Sequence, residues 1–249
     1  MAPPNQVAVP AVSAAATIPP IIPLTLGTEM VDLFVGPQKT LLRVHKVLLC
    51  QKIPYFAKMF QGGFKEATDN FATFPEDNRE EFDLLIEWVY TGKIRGLENN
   101  AYPNIRTQIS SWALLPFYTL AEKLCLTSLK DGILDVYRHN QTKNNSIHAI
   151  SYLKSCWKDS FEGSEVGRYM LDSLVYIFME LKQPKELEIW STSDILDLAF
   201  RHQGLSKLAF EAIRQHTHAG TKPKDPRKIP NCEYHSHGKD EPCLAEKSA

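Results

Sequence analysis

Cys232, His235, His237 and Cys243 place four metal-binding side chains in one short stretch, in the order Cys-x2-His-x-His-x5-Cys. Thiolate and imidazole are the ligands zinc prefers, and four of them in a tetrahedron make a closed, structural site. Two histidines one residue apart project to the same side of an extended backbone. Gly238 and Pro242 let the chain turn back with Cys243. The gap between the ligand pairs is too short for the hairpin and helix of a common finger, so the competing reading is a tail with incidental His and Cys. With every position filled by protein, no site stays open for water, and a metal here would not be hydrolytic. Asp32 and His45 also invite chemistry, since a carboxylate beside an imidazole can orient a general base. No Ser or Cys in a nucleophile motif accompanies them, so they read as a buried, hydrogen-bonded structural pair. Ser151-x-x-Lys154 matches an acylating motif by letters alone. Gly-rich phosphate loops, G-x-G-x-x-G and nucleophile elbows are missing. The chain reads as a non-enzyme.

The elements that must position these residues begin at Val31. Val31, Leu33 and Val35 alternate with Asp32 and Phe34, the period of a two-faced strand. Gly36-Pro37-Gln38 breaks the run and Leu42 and Val44 resume it, which predicts a hairpin. His45 opens a helical run through Leu49, and Pro54 suits the first turn of the next helix, whose Phe56, Met59 and Phe60 share a face. Phe71 to Phe74 reads as a strand. Asp77 with Glu80 has the form of a capping box ahead of Phe82, Leu85, Ile86 and Val89, and Gly92 stands where a C-terminal cap belongs.

The words on this scaffold are D-L-F-V-G at 32 to 36, V-H-K-V-L-L at 44 to 49, Y-F-A-K-M-F at 55 to 60, W-V-Y-T-G at 88 to 92 and A-E-K-L at 121 to 124. In order and spacing they resemble the BTB/POZ family over roughly residues 28–140. The resemblance implies an α/β (α+β) fold, a small sheet flanked by helices, used for protein–protein interaction. It implies that the positions of Asp32 and His45 hold the first strand against the first helix. In family members that serve cullin-type ubiquitin ligases, a hydrophobic residue, any residue, then an acid in the loop after the second helix docks onto the cullin. Phe64-Lys65-Glu66 has that form, so Phe64 and Glu66 are the expected partner-binding residues, the alternative being that Phe64 caps the core. The implied role is an adaptor joining a cullin scaffold to a substrate protein. The other reading is a scaffold or assembly protein, nuclear or transcription-related, with no part in ubiquitin transfer. Many members begin with a helix that swaps between protomers. Here LTLGTEM precedes Val31, too short and interrupted for that helix, which counts against dimerisation of that kind.

The other parts of the chain divide by composition. Residues 1–27 form an Ala/Pro-rich tail that six prolines keep from any regular period, and it reads as disordered. Residues 93–110 read as an enlarged loop. Phe117, Leu120, Ala121 and Leu124 repeat at helical spacing, with Pro116 as the expected first residue. Ser128 to Asp131 resembles a second capping box, ahead of Leu129, Ile133, Val136 and Tyr137. Residues 141–218 read as an all-helical extension. It holds a long stripe from Val166 to Phe178 closed by Pro184, a helix around Ile195 and Leu198 ended by Gly204, and a last one through Leu208 and Ile213. Residues 219–249 comprise a basic, Pro-rich segment, read as a solvated connector, and the Cys/His tail.

The 249 residues carry a net charge of −1 with 23% charged and 43% hydrophobic side chains, and the pI is about 6.7. No global basic field draws in nucleic acid. No apolar run reaches the ~20 residues of a membrane span. The five cysteines are an odd number, and the first three fall in expected helices. Reduced thiols in the cytoplasm or nucleus account for them most simply.

Overall fold

The computed structural model describes residues 26–97, 112–157, 161–181, 188–237 and Cys243, with the side chains of 155 and 156 excepted. The expected hairpin is present as β1 (Met30–Val35) and β2 (Thr40–His45). They pair antiparallel, Asp32 opposite Arg43 and Val31 opposite Val44. β3 (Phe71–Phe74) joins the other edge of β1 in parallel, giving a sheet of order β2-β1-β3. Because side chains alternate across a strand, Val31, Leu33, Val35, Val44, Ala72 and Phe74 all point to one face, and all are buried.

That face meets helices. α1 (Lys46–Lys52) follows β2 directly, with His45 both the last strand residue and the cap. α2 (Pro54–Gln61) carries Pro54 at its first position, where the missing N–H costs nothing. Gly62 closes α2, where a Cβ would stand 2.4 Å from the Lys58 carbonyl oxygen. The short α3 (Lys65–Asp69) leads into β3. α4 (Arg79–Thr91) ends on Gly92 at φ +69°, the left-handed cap expected of it. Phe56, Phe74 and Phe82 make a chain of ring contacts from α2 through the sheet to α4, with centroids 5.8 and 5.0 Å apart.

α5 (Leu114–Lys123) and α6 (Thr127–Lys143) follow, then α7 (Ile150–Cys156) and α8 (Glu165–Glu180). The chain continues with α9 (Thr192–Arg201) and α10 (Gln203–Ala219). Leu129, Ile133, Leu153, Val166, Tyr169, Met170 and Leu174 extend the first core without a break. The expected mixture of small sheet and flanking helices followed by a helical region is what the chain forms. No helix among the described residues is long and apolar enough to cross a membrane.

Several local expectations are corrected. Asp77 does not cap α4, whose cap residue is Asn78; its carboxylate instead takes the Lys123 ammonium at 2.6 Å, a long-range charge that outweighs a local N–H. α5 starts at Leu114, two residues ahead of Pro116, which the first turn tolerates. Cys125 lies past the end of α5 at φ +56° rather than in a helix. Gly204 ends nothing: α9 stops at Arg201 and Gly204 is the second residue of α10. The loop expected at 93–110 falls for the most part, and Pro184 falls wholly, outside the described residues.

Candidate functional site

Asp32 and His45 do not form the expected pair. Cross-strand register puts Arg43 directly opposite Asp32, and the guanidinium takes both carboxylate oxygens at 2.7 and 2.8 Å. Those hydrogen bonds hold the Asp32 carboxyl below its ordinary pKa. His45 lies two pairs further along, opposite Met30, and its Nδ1 is 2.6 Å from the Tyr90 hydroxyl. Neither is fully buried, so the correction covers both partner and burial. A bidentate fork directly across the ladder is simply closer and stronger than a diagonal contact. Lys154, the other lettered candidate, is held by Asp194 and Asp197 at 3.1 and 2.6 Å.

Phe64 stands at the start of α3 with 61% of its surface exposed, so it does not cap the core. Glu66 is in the first turn of α3, partly exposed, and its backbone carbonyl accepts from Asn70 N–H. Tyr55 on α2 is a further exposed aromatic of this part of the fold.

The expected solvated connector is only part of the C-terminal segment: residues 219–222 and 224 are exposed, but the chain is anchored from Asp225 on. Pro226 is buried, and Asp225 and Arg227 form an ion pair at 2.8 Å with side chains only 9% and 11% exposed. What organises it is α6. Asp131, Asp135, Arg138 and Thr142 fall at i, i+4, i+7 and i+11, one stripe of that helix. Asp131 does not make the expected capping box: α6 is capped by Leu126 with no side-chain bond. Asp131 instead accepts from the backbone N–H and hydroxyl of Ser236, both at 3.0 Å. Asp135 meets His235 Nε2 at 2.9 Å. Arg138 donates to Asn231 Oδ1 at 2.6 Å, to the Pro226 carbonyl at 3.0 Å and to the Ile229 carbonyl. Thr142 donates to the Arg227 carbonyl at 3.2 Å. The partners descend in number as the helix ascends, so the segment 226–236 runs antiparallel along α6. Tyr234 completes the anchorage, donating to Asp172 on α8 at 2.8 Å. Burial pushes both the Tyr234 hydroxyl and the Asp172 carboxyl up.

This anchorage brings the four Cys and His side chains of the C-terminal stretch together. One donor atom each from Cys232, His235, His237 and Cys243 lies within 4.8 Å of all the others. Ligand atoms of a tetrahedral zinc ion stand about 3.4–3.8 Å apart, so small side-chain adjustments bring the four to bonding positions. His235 is buried and its Nδ1 is 3.2 Å from Cys243 Sγ, while its ring centroid is 5.4 Å from that of His237. Asp135's hydrogen bond, with a smaller contribution from Cys243, raises the His235 pKa to about 9 against the cost of burial. The donor set, two thiols and two imidazoles around one point, fits zinc.

The stripe on α6 was not legible as a binding surface. Acids, an arginine and a threonine on a helix ordinarily read as its solvated side. Their partners lie 85 to 105 residues away in sequence, where no local period reaches.

The sheet and the helical cover agree with what the sequence words imply. Residues 23–133 match the family model described as the BTB/POZ domain.

Proposed function

We propose that this chain is a non-enzymatic adaptor that presents a bound substrate protein to a cullin-type ubiquitin ligase. A BTB/POZ domain makes it a protein–protein interaction module; the finer reading is carried by Phe64. A large aromatic side chain 61% open to solvent, beside an acid two residues on, is the arrangement of an interface anchor with a polar rim. The supporting helix α3 presents both residues from one turn. Interface anchors cost ~2 kcal/mol or more on truncation, roughly 30-fold in affinity. Capture of a cullin by the intact protein is therefore expected to fall at least tenfold in the double variant Phe64→Ala, Glu66→Lys. Thermal stability should hardly change, because exposed substitutions away from special features stay within ~0.5 kcal/mol. Equal capture by both proteins would remove this contact from the account.

The C-terminal cluster holds one structural zinc ion in the same reading. The observation that favours it is the convergence of four soft donors on a segment anchored along its length. Native mass spectrometry of freshly prepared, reduced protein is expected to show the mass of one zinc, removed by chelator. A metal-free spectrum under those conditions ends the proposal.

A further inference from the structure

The ring of His235 is gripped from both sides. Nε2 is 2.9 Å from Asp135 Oδ1 and Nδ1 is 3.2 Å from Cys243 Sγ. Neutral imidazole carries one N–H and one lone pair, and an ionised carboxylate has no proton to give. In the neutral ring that a metal would bind, the proton therefore belongs on Nε2, and the lone pair is on Nδ1, on the side of Cys243. One helical turn earlier, Asp131 fixes the backbone between the two histidines through Ser236. The side chain of His235 is only 1% exposed, so no solvent rearrangement competes with this orientation.

We propose that Asp135 is the positioning residue of the metal centre: it sets His235 as an Nδ1 ligand and ties the metal to α6. The inference rests on the zinc reading above and adds to it which nitrogen binds and which residue outside the ligand set decides it. Partners of this kind orient the ligand ring, fix its tautomer and raise its basicity, and losing one weakens metal binding by about 10–100-fold.

The test uses the full chain. Zinc affinity is measured by competition with a chromophoric chelator for the wild type, Asp135→Leu and Asp135→Asn, and cobalt spectra are recorded for all three. Asp135→Leu is expected to bind zinc 10–100-fold more weakly and to shift the cobalt ligand-field bands. Asp135→Asn keeps an acceptor oxygen and should recover much of the loss. Should Asp135→Leu fail to fold, nitrogen-15 NMR of the cadmium-loaded wild type decides the matter. Coupling from cadmium to His235 Nδ1 supports the assignment, and coupling to Nε2 overturns it. Wild-type affinity and spectrum in Asp135→Leu would also overturn it, leaving the zinc reading intact. A wild type that binds no metal removes the zinc reading itself, and the assignment with it.

Discussion

Arg138→Ala is expected to detach the C-terminal segment and lower the unfolding midpoint by about 10 °C. Arg138 is 2% exposed, and among the described residues its guanidinium hydrogen-bonds to carbonyl and amide oxygens rather than to a carboxylate. Burial lowers its pKa, while the Tyr169 and Tyr234 rings and Asp135 work the other way. Its charge is balanced by the Pro226 and Ile229 carbonyls, the Asn231 side-chain oxygen and the face of Tyr234, 4.6 Å from the guanidinium carbon. Truncation strands three acceptors at once and empties the space beneath Tyr234. Removing one member of a buried charged network costs roughly 3–5 kcal/mol, and in a protein of this size each kcal/mol moves the midpoint by about 2–4 °C. Arg138→Lys keeps the charge but cannot reach three acceptors from one fork, so it should recover only part of the loss. Hydrogen exchange across 225–236 locates the effect. A midpoint within about 2 °C of wild type, with that segment still protected, would show that Arg138 does not hold it.

Acid is expected to destabilise the protein through His148 well before the carboxylates respond. The side chain is 5% exposed, walled by Tyr152, Tyr169 and Trp190. Its Nδ1 is 3.4 Å from Gln141 Nε2, and its Nε2 has no hydrogen-bond partner among the described residues. Burial pushes its pKa down to about 3, against about 6.5 in the unfolded chain. Below pH 6.5 the unfolded state binds a proton that the folded state refuses. Stability is therefore full above 6.5 and falls by about 1.4 kcal/mol per unit as pH drops towards 3. Between pH 6.5 and 4.5 the loss is nearly 3 kcal/mol on that slope. His235 has the opposite sign: in the metal-free protein its contribution is full below pH 6.5 and fades as pH rises towards about 9. Asp32, Asp194, Asp197 and Asp225 have depressed pKa values, so their contributions are lost only in stronger acid. With chelator present to keep both proteins metal-free, urea midpoints from pH 7 to 4.5 should fall for the wild type and stay nearly level for His148→Phe. Parallel slopes for the two proteins would mean that another group carries the acid response.

Residues whose partners are near in sequence were the ones that could be read in advance. The alternation of Val31, Leu33 and Val35, the proline opening α2 and the glycine closing α4 each follow from a few consecutive side chains and their backbone limits. The members of the Cys/His cluster were legible for the same reason, being crowded into twelve residues. Asp32 was misassigned because the hairpin register, which places Arg43 opposite it, depends on the length of the turn. Asp77 and Asp131 carry the letters of a cap yet serve distant partners, Lys123 and Ser236. A helix cap and a tertiary hydrogen bond ask for the same side chain, and only three-dimensional proximity chooses between them. Arg138, between Tyr137 and His139, gave no local sign that its charge is buried.

The antiparallel run of the last segment along α6 means that the unit recognisable by family and the unit able to fold need not coincide. The match stops at residue 133, in mid-helix between Asp131 and Asp135. A protein trimmed there would keep half a helix, forfeit Arg138, and lose the segment that lies along α6. Such a fragment invites aggregation rather than autonomy, so the smallest well-behaved piece of this protein reaches at least to Cys243.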